Sequence, residues 1–107
     1  MITQQELKAE DYIQGDEIIY LPGHVDGNID HPDCERGFVT SIRNDTVFCR
    51  FFTKDGHSDF YGLRTVANSE GCNPVDLRFI HNATQRTKII LEVMQKSPDI
   101  YGYIPAQ

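Results

Sequence analysis

The chain has no long apolar run, no cluster of lysines and arginines, and only three cysteines. Each shortage removes a class of function. Without an apolar stretch of about 20 residues, no helix of this sequence spans a bilayer. Met1 to Glu10 is polar, with no basic segment leading into an apolar one, so no secretory leader is expected and the reading is of a cytosolic protein. Cys34, Cys49 and Cys72 are odd in number and far apart, which fits a reducing compartment better than a secreted disulfide framework. Polynucleotide binders carry basic faces that release counterions from phosphates. Here sixteen acids stand against ten bases, a formal net charge of -6, which argues against duplex DNA or RNA as the partner. An acidic field steers instead toward basic protein surfaces.

Signatures of catalysis and of cofactors are equally sparse. His24, Asp26, Asp30, His31, Asp33 and Cys34 crowd one loop, yet their spacing matches no Cys-x-x-Cys, no His-Glu-x-x-His and no calcium loop. A solvated loop of local turns is expected there, with no metal and no other cofactor. Gly15, Gly23 and Gly27 lack the spacings of a P-loop or a dinucleotide fingerprint. No nucleophile is set beside a base by any recognisable motif, and Cys49 shares a strand face with Val47 and Phe51, where a small core residue belongs. Binding is therefore expected, and catalysis is not.

What is present is one domain's worth of chain, 107 residues with a strand-rich centre. Residues 1–14 read as a short helix: Thr3 and Glu6 have capping-box spacing, Leu7, Ala9 and Tyr12 give an apolar side, and Gly15 ends it. Residues 15–81 read as strands. Gly15 to Pro22 is the first, followed by a long polar loop, Gly23 to Glu35. Gly37 to Arg43 and Thr46 to Thr53 alternate around Asn44-Asp45, a dipeptide that tolerates a tight hairpin turn. The second arm puts Val47, Cys49 and Phe51 on one face and Phe48, Arg50 and Phe52 on the other, so both faces need cover, as in a sheet curled into a barrel. Lys54 to Gly71 is irregular with one short strand. Asn73-Pro74 then turns the chain into a closing strand with Val75, Leu77 and Phe79. Residues 82–97 read as a helix capped by Asn82, with Ile89, Ile90, Val93 and Met94 as its apolar stripe and Ser97-Pro98 as its stop. The expected fold is mainly β (α+β): an SH3-like five-stranded small barrel with a short N-terminal helix and a C-terminal helix. The tail, 98–107, is too apolar to stand free in water, so it docks on its own barrel or on a second copy, and a homo-oligomer is expected.

Candidate binding residues come from the start of the last helix. That end of a helix is positive and normally attracts acids, yet Arg86 and Lys88 stand there with no acid before Glu92. With the hydroxyls of Thr84 and Thr87 they would make an anion pocket suited to a phosphate. A nucleotide also needs a platform for its base. Phe60 and Tyr61 form an aromatic pair in a loop, either as that platform or as plugs of the barrel end, and Asn68 could read a base edge.

Gly15 to His24, then Asp30-His-Pro-Asp-Cys-Glu-Arg-Gly-Phe-Val-Thr-Ser-Ile, then Val47-Phe-Cys-Arg-Phe and Asn73-Pro-Val-Asp-Leu together resemble the small SH3-like proteins encoded in bacteriophage genomes. The likeness covers Gly15 to Phe79 and implies a viral accessory protein working in the bacterial cytosol. The chain also resembles phage proteins that disarm the Thoeris defence by soaking up its cyclic ADP-ribose signal. In that family the ligand is held between subunits by an Arg ahead of the hairpin, a loop aromatic, an Asn and an Arg-Thr pair near the last helix. Arg36, Phe60, Asn68 and Arg86-Thr87 stand in the same order here. The resemblance thus implies a non-catalytic antagonist of host immunity that sequesters a small anionic nucleotide. The alternative is an acidic inhibitor or adaptor, of anti-CRISPR type, whose loop from Asp26 to Glu35 occupies a basic surface on a host defence protein.

Overall fold

The structure, a computed structural model, describes residues 7–53 and 69–96. Its strands are β1 (Glu17–Tyr20), β2 (Glu35–Arg43), β3 (Thr46–Phe51), β4 (Glu70–Cys72) and β5 (Leu77–His81), and one helix follows, α1 (Gln85–Lys96). The strands form an antiparallel sheet in the order β4-β3-β2-β1-β5. The β2–β3 hairpin turns where the sequence predicts it. Arg43 pairs with Thr46 across Asn44-Asp45, and Asn44 takes the left-handed conformation, φ 55°, which Asn tolerates better than most residues.

The pairing of β2 with β3 slips at Thr40, between Val39 and Ser41. The Thr40 hydroxyl donates to the Phe48 carbonyl at 3.0 Å, and its own carbonyl accepts from Gln14 Nε2 at 2.9 Å, so the peptide that leaves the ladder is satisfied inside the protein. A bulge bends its strand and deepens the twist. The sheet curls far enough that Cys72 on one edge strand and Leu77 on the other join one buried cluster with Ile18, Val39, Val47, Cys49 and Phe51. A 3-10 turn, Pro74–Asp76, carries the chain between those edges, capped by Asn73, whose side chain accepts from the Val75 N–H at 3.1 Å.

No ladder joins β4 to β5 among the described residues, so the sheet is open where the apolar pattern of β3 predicts a closed barrel. Cover for the second face comes from other elements. Phe38 and Phe52 pack under Ile90, Leu91 and Met94 of α1, while Ile19 and Leu21 pack against Val25 and Cys34 of the β1–β2 connection. The helix is also turned relative to its expected stripe: Thr87, Ile90, Leu91 and Met94 are buried, and Ile89 is 41% exposed. These positions follow the i, i+3, i+4, i+7 spacing of one helical face. Its cap is Thr84 rather than Asn82, since the Thr84 hydroxyl accepts from the Thr87 N–H at 3.2 Å. Asn82 instead donates to Asp16 at 3.0 Å.

At the N-terminal side, a 3-10 turn at Ala9–Asp11 stands where a short helix is expected over 1–14. The backbone is extended again at Tyr12, φ -93° and ψ 150°, which delivers that ring into the core cluster beside Ala9. Thr3 and Glu6, the expected capping box, lie outside the described residues. Tyr12 is 3% exposed, and its hydroxyl has no hydrogen-bond partner among the described residues. Burial pushes the phenol up from 10.0 to about 12. Tyr12→Phe removes a desolvated hydroxyl that makes no bond, so unfolding stability is unchanged or rises by about 1 kcal/mol. Because the phenol ionises more readily in the unfolded chain than in the folded one, it makes stability independent of pH below 10.0 and lowers it as pH rises from 10.0 toward about 12. Urea denaturation of both proteins between neutral and alkaline pH checks this, and the variant should lose that alkaline slope.

Among the described residues, no helix is long and apolar enough to cross a membrane.

Candidate functional site: a groove with two arginines

β2 opens with Glu35 and Arg36, and the Arg36 carbonyl accepts from the Phe52 N–H at 2.9 Å, one residue beyond the end of β3. That bond places Phe52 beside Phe38, ring centroids 5.8 Å apart. Across from it, the first turn of α1 sets the Arg86 guanidinium 4.6 Å from the centroid of the Phe52 ring. A guanidinium over an aromatic face is attracted by the ring quadrupole and loses rotamer freedom there. Arg36 and Arg86, fifty residues apart in sequence, line one groove of about 510 Å³ whose remaining walls include Ile29, His31 and Cys34 of the β1–β2 connection. This volume suits a small organic ligand. Arg36 is exposed, and among the described residues its guanidinium makes no hydrogen bond or ion pair. On a chain of net charge -6, the groove gathers two cations beside a single aspartate, Asp30.

The helix start that the sequence marks as an anion pocket already holds an anion of the protein itself. Glu17 of β1 accepts hydrogen bonds from the Thr84 and Thr87 hydroxyls, both at 2.8 Å. His81 Nε2 lies 3.7 Å from the other carboxylate oxygen. A carboxylate at the positive end of a helix is favourable, so this end needs no outside phosphate. Thr87 is fully buried and committed to Glu17, which separates it from Arg86, its neighbour in sequence. The two residues point to different places because consecutive helical positions diverge by about 100°. Lys88 is exposed and is not part of the groove wall.

Of the sequence-predicted ligand set, then, Arg36 and Arg86 come together and Thr87 does not join them. Phe60, Tyr61 and Asn68 lie outside the described residues. The aromatic member of the groove is Phe52, which the sequence reading places only on the second face of β3. The signal that marks it is an aromatic just beyond the hairpin's last core position, with an Arg in the first turn of the last helix to meet it. Cys49 is fully buried in the core, as its strand face predicts. A hydrogen bond with Cys72, together with burial, pushes its thiol up, away from reactivity. Cys34 in the groove wall is buried, and its thiol donates to the Asn28 carbonyl at 3.3 Å.

No protein-family model, curated protein or solved structure matches this chain.

Proposed function

We propose that this protein is a non-catalytic binder that captures a small anionic, nucleotide-type signal in the groove between β2, α1 and the β1–β2 connection. The observation that carries the reading is the convergence of Arg36 and Arg86 on one groove, with Arg86 held over Phe52. Guanidinium groups match phosphate oxygens with forked donors. Two of them in the lining of one groove suit a diphosphate, and a cation already braced by an aromatic ring loses less freedom on binding. The resemblance to phage antagonists of Thoeris gives the ligand class, cyclic ADP-ribose and its relatives, and the setting, sequestration of a host signal by an assembly of identical subunits. The strand order and the 3-10 link between edge strands support the finer description of the curled, open sheet as SH3-like.

Titration calorimetry and thermal denaturation with ADP-ribose and cyclic ADP-ribose test the proposal. A ligand that binds only the folded state raises Tm with concentration, about 2.7 kcal/mol of added stability at a hundredfold excess over Kd. Each charge-assisted hydrogen bond contributes about 1.5–3 kcal/mol. Removing both guanidinium groups, Arg36→Ala with Arg86→Ala, should therefore weaken binding by more than about a hundredfold. Absence of any shift with these ligands, or unchanged affinity in the double variant, rejects the reading. The rival is an acidic inhibitor or adaptor, and it draws on a second hollow of about 380 Å³ where Glu35, Glu70 and Asp76 meet beside Tyr20. Neutralising Glu35 and Glu70 would abolish that activity and leave nucleotide capture intact.

A further inference from the structure

We propose that His24, His31 and Asp33 form a three-ligand site for a divalent transition ion of the zinc class, on the outer side of the β1–β2 connection. The chain prepares the site in steps. A 3-10 turn at Gly23–Val25 buries Val25 and turns His24 outward. Asp26 and Gly27 take left-handed conformations, φ 53° and 78°, which reverse the chain. Successive turn bonds follow, Asn28 N–H to Val25 O at 3.0 Å, His31 N–H to Asn28 O at 3.1 Å and Cys34 N–H to His31 O at 3.0 Å. Buried Cys34 pins the far end, with its thiol on the Asn28 carbonyl. A connection that would otherwise be free loop is thereby tied at both ends and at its middle, and its three ligating side chains share the outward side.

The donor atoms are already gathered. His24 Nε2 lies 2.6 Å from Asp33 Oδ2, and His31 Nδ1 lies 3.9 Å from the same oxygen. The two imidazoles meet edge to face, centroids 5.6 Å apart, and one donor atom from each of the three residues falls within 4.8 Å of the others. A tetrahedral zinc ion with bonds of about 2.0–2.1 Å needs donors about 3.3 Å apart, a value between the distances seen. Small side-chain rotations suffice. The ion would take the place of the proton shared by His24 and Asp33, and His31 Nδ1 would exchange the Asp33 N–H it now accepts at 3.0 Å for the metal. Side-chain exposures of 61%, 33% and 56% leave a fourth position open to water, the pattern of a three-ligand site. Two imidazoles favour zinc, cobalt or nickel over calcium or magnesium, which take oxygen donors. The net charge of -6 draws cations toward the surface.

The site stands independently of any nucleotide, although His31 also lines the arginine groove. Its test uses the full chain stripped of metal by a chelator and titrated with cobalt(II), then with zinc as competitor, with no nucleotide present. The expected result is one ion per chain, the visible band of four-coordinate cobalt, its bleaching by zinc, and a zinc-dependent rise in Tm. His24→Ala, His31→Ala and Asp33→Asn each weaken binding more than about tenfold, at least the loss seen for outer-shell residues. These positions are on the surface, and far-UV circular dichroism confirms that each variant is folded. The proposal is overturned by absence of binding, by cobalt binding that survives His24→Ala with His31→Ala, or by a thiolate charge-transfer band that Cys34→Ser removes.

Discussion

Phe38→Ala should lower the free energy of unfolding by about 3–5 kcal/mol, the range for truncating a fully buried aromatic. Phe38 has no exposed surface and is the sheet's contribution to the cluster formed with Ile90, Leu91 and Met94. A single α-helix of twelve residues is too short to persist in water without tertiary contacts, so the loss falls on the docking of α1. The consequence reaches the groove. Phe52 rests on Phe38 at 5.8 Å and Arg86 rests on Phe52 at 4.6 Å, so a cavity beneath the first ring releases the second and then the cation. With about 4–8 °C of Tm lost per kcal/mol in a domain of this size, thermal denaturation should show a fall on the order of 20 °C. Amide hydrogen exchange should rise first along α1. Phe38→Leu, which retains much of the volume, loses less. A parent-like Tm in Phe38→Ala would show that the helix is held by other contacts.

Gly37→Ala, one residue earlier, should be as damaging for the opposite reason. A Cβ at position 37 would overlap the Arg50 carbonyl oxygen and lie 3.0 Å from its carbonyl carbon and 2.9 Å from Phe51 Cδ1. The first two are backbone atoms, fixed by the ladder that pairs Gly37 with Phe51 and Phe38 with Arg50, and neither can swing aside as a side chain would. Relief requires β2 and β3 to part. Overpacking of a core costs about 1–3 kcal/mol, occasionally more, and a clash with backbone belongs at or above the upper end. The expected result is a drop of about 3 kcal/mol or more in urea denaturation, with loss of the Phe52-to-Arg36 bond that ties the end of β3 to the start of β2 beside the groove. Gly23→Ala serves as the control. A Cβ there meets nothing within 4 Å, so its effect should stay within about 0.5 kcal/mol of zero.

How far these features could be read in advance depends on the range of the interaction behind each. The hairpin was legible because alternation over six residues and an Asn-Asp turn are local properties of the chain. The helix was legible in existence but not in phase. Ile89, Ile90, Leu91, Val93 and Met94 offer apolar surface around more than one face, and the choice among faces was made by Phe38 below and by Glu17 beside Thr87. Arg50 shows the same limit in sharper form. Alternation assigns it to the second face of β3, but nothing in its neighbours announces that a charged side chain there is 2% exposed. The His24, His31 and Asp33 cluster was visible as a crowd of ligand types and discounted on spacing, because motif spacing describes regular helices and known loops. The turns at Asp26 and Gly27 bring these residues together by a route with no fixed spacing.

The amino-acid sequence alone determined a small acidic β-rich domain, its central hairpin, its closing strand and a C-terminal helix, since these follow from composition, side-chain periodicity and turn chemistry within a few residues. Tertiary structure decided that the curled sheet stays open, that Glu17 rather than a ligand meets the helix end, and that Arg36 and Arg86 share one groove. Strand order and helix phase bring residues fifty positions apart into reach, and both are settled by which buried surfaces fit together, a property of the whole core that no local pattern contains.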